Sequence, residues 1–349
     1  MNTSLNYNIC FDNDLTQLIL YCNEQSSEII VGTDSNTYKY CYPKLNPSFQ
    51  AQIKHIIQIP AGDQNKNVEQ VYHVYSELSK VNSRRNTLLL ILGGGMCGDL
   101  FGYAASTYKR GIPFVHVPTS LLAMVDSSVG SKSGVNFQSY KNLIGTFTDP
   151  KAVFIHSPFL QTLPLRETIS AFAECYKHAI LDSPQHLELI RLKTKNGYDA
   201  DNELISTSIS YKSKIVVQDK HEAGLRKVLN FGHTIGHAIE SLSLNSASPL
   251  LHGEAVAAGM IAELYLAKTK CGFNPDVCSE LSHEIKKTIP FQLPNKQMDK
   301  LLDYISQDKK NTSEKYAFSL PESIGKCQID VTCSEEEVIE ALSFLYNEL

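Results

Sequence analysis

Thr87-Leu-Leu-Leu-Ile-Leu-Gly-Gly-Gly-Met-Cys-Gly-Asp99 sets an unbroken apolar run directly before a glycine-rich turn. Such a run is the signature of a strand buried on both faces, as in a parallel sheet. Gly93 to Gly98 then satisfies G-x-G-x-x-G, whose glycines let the backbone approach a pyrophosphate at the N-terminus of the next helix. Alone, the turn also suits any tight strand-to-helix bend. A dinucleotide fold of the usual kind places an acid about 20 residues on, at the end of the next strand. Here that strand ends Val117-Pro118-Thr119-Ser120, with no carboxylate. A cofactor must be held in another way, with Asp34 after an earlier strand as the candidate.

Working outward, Glu28–Val31, Ile53–Ile59 and Phe114–Val117 read as further strands. Val68, Val71, Tyr72, Tyr75 and Leu78 fall on one face at helical spacing. Repeated βα units predict a Rossmann-like α/β domain with a mostly parallel sheet over residues 1–157. Beyond Pro158 long helical patterns take over: Arg166–Ile180, Leu204–Val217, Asn230–Leu242, Gly253–Thr269 and Ser334–Leu345. The last opens with a capping box, Ser334 and Glu337. Ala255, Ala257, Ala258 and Gly259 suit close helix packing. A mostly α-helical second domain is therefore predicted over 158–349, and 349 residues is more than one core comfortably holds.

Composition narrows the partners. The net charge of −5 argues against nucleic acid, and no run reaches the length of a membrane span. Met1 to Tyr7 is polar, without the apolar core of a signal peptide. The nine scattered cysteines then read as reduced thiols in a cytoplasmic protein.

Three segments carry metal-ligand chemistry: Ala173–Lys177, Gly232–His237 and Leu251–Glu254. Glu174 with two histidines is the ligand set of an open, catalytic metal site. Glu174 and Lys177 share a helix face at i, i+3, and His233 and His237 share one at i, i+4. That pair resembles H-E-x-x-H, but residue 234 is threonine, so the general base of a metalloprotease is missing. His55, His73, His156, His186, His221 and His283 lack such company and read as surface or structural. Arg110, Lys132, Lys141, Lys177, Lys212, Arg226, Lys309 and Lys310 form a cationic set. Several lie in charge-poor stretches such as Asp126–Gly134, as recognition of a small, highly anionic substrate would need.

Gly93–Gly102, Pro118–Asn142, Thr162–Lys177, Gly224–Glu240 and His252–Gly259, in that order, resemble the 3-dehydroquinate synthase family of the sugar-phosphate cyclase superfamily. The resemblance runs from about Asp34 to Gly325. It implies a dehydroquinate synthase-like fold and conversion of 3-deoxy-D-arabino-heptulosonate 7-phosphate to 3-dehydroquinate and phosphate, with NAD and zinc or cobalt. It places the metal on Glu174, His233 and His252. It places NAD against Asp34, Asn36, Asp63, Lys66, Gly95, Met96, Cys97, Gly98, Asp99, Thr119, Ser120, Lys132, Lys141, Phe159, Leu160, Gln161 and Thr162. Substrate falls to Asp126, Lys132, Asn142, Lys177, Lys212, Arg226, Asn230, His237 and the Asp308-Lys309-Lys310 segment, where Lys310 is favoured. Arg110 matches a residue that reaches the phosphate from a neighbouring subunit, which implies a homodimer. Departures are small: Ser131 stands for a common glycine, Ser133 and Ser120 for threonine, Asp63 for glutamate. Other readings are an inosose or valiolone synthase of the same superfamily, or a metal-dependent polyol dehydrogenase with net NAD reduction.

Overall fold

The computed structural model describes residues 5–26, 28–138, 140–244, 246, 248–306 and 316–347. The chain divides into two compact units, Met1–Pro164 with Ala200–Lys220, and Leu165–Asp199 with His221–Leu349.

The first unit is built on a six-stranded sheet whose pairings are all parallel. Its strands are β1 (Asn8–Phe11), β2 (Ile29–Asp34), β3 (Ile53–Ile59), β4 (Leu88–Gly93) and β5 (Phe114–Pro118). An antiparallel hairpin, β6 (Lys132–Phe137) with β7 (Tyr140–Phe147), intervenes before β8 (Ala152–Ile155). The order across the sheet is β1-β8-β5-β4-β2-β3. Every residue of β4 is buried, as its apolar run predicts. The Val68–Lys80 and Gly95–Thr107 helices pack Val71, Val74, Leu78, Leu100 and Phe101 against Ile57, Ile59, Leu89 and Ile91. The expected face of the first helix is corrected in part. Val71, Val74 and Leu78 are buried, but Val68 and Tyr72 are 40% and 72% exposed.

The topology sets an acid from another strand beside the glycine turn. β3 lies on one side of β2 and β4 on the other, so the sheet has a switch point between β2 and β4. At such points the carboxyl ends of two strands open a ligand crevice. β2 ends in Asp34 and β4 in Gly93, with Thr33 opposite Leu92. The acid stands beside the glycine turn in space but precedes it in the chain. The Asn202–Gln218 helix also departs from the sequence grouping, because it belongs to this unit and packs on a single π-helical turn, Ala123–Ser127.

The second unit holds the helices Leu165–Asp182, Pro184–Lys195, His233–Ser243, His252–Lys270, Pro275–Thr288, Met298–Ser306 and Glu335–Asn347, with a hairpin of β9 (Tyr316–Ser323) and β10 (Lys326–Cys333). The predicted capping box is present. Ser334 N–H donates to Glu337 Oε2 at 2.8 Å, and Glu337 N–H to Ser334 Oγ at 3.4 Å. The His252–Lys270 helix is buried along nearly all its length, as the central rod of a bundle must be. Its small residues permit contact no larger side chain would. A Cβ on Gly259 would meet Gly232 O at 2.0 Å, and one on Gly253 would meet Ser170 O at 1.9 Å. The Gly259 contact brings in the His233–Ser243 helix, and the Gly253 contact the Leu165–Asp182 helix.

Candidate functional site

Glu174 lies in the buried middle of its helix, while His233 and His252 are each the first residue of theirs. His233 Nε2 stands 3.4 Å and His252 Nε2 3.7 Å from Glu174 Oε1. Both Glu174 oxygens are buried. What faces them is the pair of imidazoles and the Lys177 ammonium, itself 2% exposed. Burial would raise the Glu174 carboxyl; Lys177 and then His233 hold it well below the usual carboxylate range. Burial depresses His233, helped by the Lys177 charge. At His252 burial is outweighed by hydrogen bonds to Glu174 and Glu240, which lift it to about 9.

The arrangement fits a cation. Each imidazole turns Nε2 inward and holds Nδ1 outward, His233 against Phe231 O at 3.2 Å and His252 against Glu240 Oε2 at 3.4 Å. Anchoring of the remote nitrogen is the usual orientation device of metal-binding histidines. Two ligands bound at roughly 2.1 Å in tetrahedral geometry stand about 3.4 Å apart, close to the spacing here. Arg166 locks the start of the His252 helix to the start of the Glu174 helix. Its Nε and one terminal nitrogen donate to Glu254 at 2.7 and 2.8 Å, and Glu254 accepts the Leu251 N–H at 2.8 Å. Beside the cluster, the His237 ring lies 5.2 Å from that of His233 and 5.8 Å from that of His252. Arg226 is buried in the Leu225–Asn230 turn, and Asn230 Nδ2 is a buried donor with no partner among the described residues.

The first unit gathers a different set. Lys66, 5% exposed, donates to Asp99 Oδ2 and Asn142 Oδ1, each at 2.5 Å. Asn136 N–H donates to Lys66 O at 2.8 Å, Asn142 N–H to Asn136 Oδ1 at 3.0 Å, and Lys141 pairs with Asp63 at 3.3 Å. Burial lifts the Asp99 carboxyl against the pull of Lys66. Asp63, Lys66, Asp99, Lys141 and Asn142 thus share one network, joined by Asn136. Asp126 pairs with Lys212 at 2.7 Å. Asp34 Oδ1 accepts the Asn36 and Thr37 amides. In the glycine turn close approach, not backbone angle, excludes side chains at Gly93, where a Cβ would meet Cys97 Sγ at 2.4 Å. Cβ atoms on Gly94 and Gly95 would meet the Ser120 and Ser127 hydroxyls at 3.2 and 3.0 Å. The buried Cys97 points its thiol back to Leu92 O, and Met96 packs on the core. Thr119 N–H donates to Gly93 O at 3.1 Å. In the turn Ser157–Thr162, Phe159 is buried against His156, and Thr162 Oγ1 lies 3.6 Å from Cys41 Sγ.

Lys132 opens β6 on an exposed position after Ser131, whose φ of +64° is one that glycine adopts without strain. The serine compensates by donating to Asp149, which Lys220 also grips at 2.7 Å. Arg110 is exposed in a run of three left-handed residues, Lys109 to Gly111. Asp308, Lys309 and Lys310 lie outside the described residues. His55, His156 and His283 have the structural partners expected of them, Glu77, Asp12 O and Ser279 O. Glu240, Glu254, Arg166 and Asn136 escaped the sequence reading, since single polar residues on helices and strands look like surface until burial is known. So did His116, a ring pushed down to about 4 by burial that lines a small cavity with Gly93, Gly94 and Gly98.

Residues 56–170 match the family description "3-dehydroquinate synthase N-terminal" and residues 171–311 "3-dehydroquinate synthase C-terminal". A 3-dehydroquinate synthase of Parabacteroides distasonis is 38% identical over 348 residues, covering 94% of this chain and 97% of its own. Among solved structures, a 2-epi-5-epi-valiolone synthase of Streptomyces hygroscopicus with NAD+ and Zn2+ bound superposes with a TM-score of 0.86, at 23% identity over 99% of this chain and 98% of that one. A 2-deoxy-scyllo-inosose synthase holding carbaglucose-6-phosphate, NAD+ and Co2+ gives 0.82, at 23% identity over 96% of each chain. These two likenesses establish the fold; the sequence matches go further, and the chain belongs to the 3-dehydroquinate synthase family.

Proposed function

We propose that this chain is a phosphate-eliminating carbon–oxygen lyase that converts 3-deoxy-D-arabino-heptulosonate 7-phosphate to 3-dehydroquinate and phosphate, using NAD and zinc or cobalt. One observation carries the reading: a fully buried carboxylate, paired with a buried lysine and faced by two oriented imidazole nitrogens. The full-length likeness to a 3-dehydroquinate synthase supplies the substrate. The fold relatives that hold NAD+ with Zn2+ or Co2+ support the cofactors.

When bound, NAD supplies a hydride acceptor that returns its hydride within the turnover, and the divalent ion supplies a Lewis acid. Glu174, His233 and His252 would hold the ion. Asp34 and Asn36, then Asp63 and Lys66, Gly95 to Asp99, Thr119, Ser120, Lys132, Lys141, and Phe159 to Thr162 would hold the dinucleotide. The substrate phosphate falls to Lys132, Asn142, Arg226, His237 and Arg110, the last reaching the neighbouring subunit of a homodimer. Fixed in this way, the phosphate's own oxygen serves as base for its elimination. Asp126 belongs to the same substrate set through its pairing with Lys212. Lys177, Lys212, Asn230 and Lys310 grip the carboxylate and ring hydroxyls, and the closing aldol step needs chiefly one held conformer. On this reading the enzyme serves aromatic biosynthesis, through the shikimate pathway, in the cytoplasm. Among the described residues no helix is long and apolar enough to cross a membrane.

The test is phosphate release from the heptulosonate phosphate, with and without chelator, beside sedoheptulose 7-phosphate and glucose 6-phosphate. Release should occur from the heptulosonate alone, stop with chelator, and return with zinc or cobalt, without net NADH. Turnover of either other sugar phosphate instead, or steady accumulation of NADH, would replace the reading.

A further inference from the structure

The His252–Lys270 helix bears a second carboxylate, Glu263, which is fully buried and absent from every role assigned above. Residues 252, 256, 259 and 263 fall on one stripe of that helix. Through this stripe it meets the start of the His233–Ser243 helix at Gly232 and Gly236. A helix start leaves its first amides without intrahelical partners, and a side-chain oxygen at the N-cap normally accepts one. Here the N-cap is Gly232, at φ +80°, with no side chain to offer. Glu263 does the capping from the neighbouring helix. Its Oε2 accepts the Gly232 N–H at 2.6 Å and its Oε1 the Ile235 N–H at 3.1 Å. A negative charge at this position is further favoured by the helix dipole.

The two gripped amides bracket His233, one residue before it and two after. The backbone from which this imidazole projects is therefore fixed on both sides by a single carboxylate. We propose that Glu263 is a positioning residue: it aims His233 at Glu174 and sets metal affinity without touching the metal. The inference rests on the metal reading above. A glutamine at 263 would turn an NH2 toward one of the two amides, losing one bond and setting two donors face to face. An alanine would lose both bonds, and an aspartate would reach short by one methylene.

The full-length protein, stripped by chelator, is titrated with Zn2+ against a competing dye, and its Co2+ form is examined by visible absorption. Glu263→Gln and Glu263→Ala should bind zinc about 10- to 100-fold more weakly with altered cobalt bands, the range found when an outer-shell partner is removed. Glu263→Asp should fall between them and the wild type. Leu342→Ala controls for plain loss of stability. Leu342 is fully buried on the Glu335–Asn347 helix, which pairs with the far end of the central helix through Lys270 and Glu337. It should melt earlier yet keep its zinc affinity. If Glu263→Ala fails to fold, Glu263→Gln decides. Wild-type affinity and cobalt bands in Glu263→Gln, or equal weakening in Leu342→Ala, would overturn the inference and leave the metal reading intact. A wild-type protein that binds neither ion would overturn both.

Discussion

The network around Lys66 and the cluster around Glu174 are both knots of buried charge, but only the second offers a ligand set for a metal. Lys66 sits between Asp99 and Asn142 with hydrogen bonds of 2.5 Å to each, and its own carbonyl is taken by Asn136. Glu174 pairs with Lys177 through one oxygen, and two imidazole nitrogens stand 3.4 and 3.7 Å from the other. Oxygens gathered around an ammonium make a finished network of protein groups; a carboxylate and two imidazoles at this spacing suit a divalent cation.

Substitutions can break or sharpen this contrast. The largest effect should come from Glu174→Gln, whose rate of phosphate release should drop at least about 1,000-fold, since several kcal/mol of Lewis-acid stabilisation depend on the site. In the same variant zinc should no longer raise the melting temperature. In the wild type, zinc at one hundred times its Kd should add about 2.7 kcal/mol. A thermal shift with zinc in Glu174→Gln equal to the wild type would erase the distinction between the two knots. Next, Lys66→Met removes the cation from a finished network and strands Asp99. It should destabilise the protein by about 3 kcal/mol in denaturant unfolding, whether or not metal is present. A loss that metal restores would mean the two knots are one. Lys132 is assigned to both the dinucleotide and the phosphate, and the phosphate should depend on it more: Lys132→Ala should slow phosphate release about 10- to 100-fold, the worth of a charge-assisted hydrogen bond, and raise the NAD Kd far less, since many other residues share the dinucleotide. Equal losses in both would make it chiefly a dinucleotide contact. The smallest effect belongs to Ser131→Gly. Relief of a left-handed serine and loss of its bond to Asp149 are each worth about 1 kcal/mol, so unfolding free energy should move by less than that.

What could be read without coordinates follows the strength of local physics. β3 was bounded correctly at Ile53–Ile59, and β4 was plain because burial on both faces leaves only apolar residues. Five helices beyond Pro158 emerged within a few residues of their ends, whereas Pro184–Lys195, Pro275–Thr288 and Met298–Ser306 did not. The β6–β7 hairpin stayed hidden because Gly134 and Gly145 face each other where a Cβ would strike backbone at 2.6 and 2.4 Å. Glycine is rare in strands, so the close contact that requires it also disguises it. That a carboxylate from Ala173–Lys177 would meet two histidines followed from residue type, the resemblance implied Glu174, His233 and His252, and the structure brings these three together. Their supports, Glu240, Glu254 and Glu263, were not legible, since a lone glutamate on a helix announces nothing until its depth is known. Nor does a linear pattern reveal that the Asn202–Gln218 helix sides with the sheet, or that Asp34 stands beside a turn 60 residues later.

The clasp of Arg166 on Glu254 has a consequence for how the protein matures. It joins the start of the helix that carries Glu174 to the start of the helix that carries His252 through protein atoms alone, so this part of the scaffold needs no ion to hold it. Small zinc modules gain their shape by capturing metal. Two helices clasped in this way would fold first and be charged afterwards.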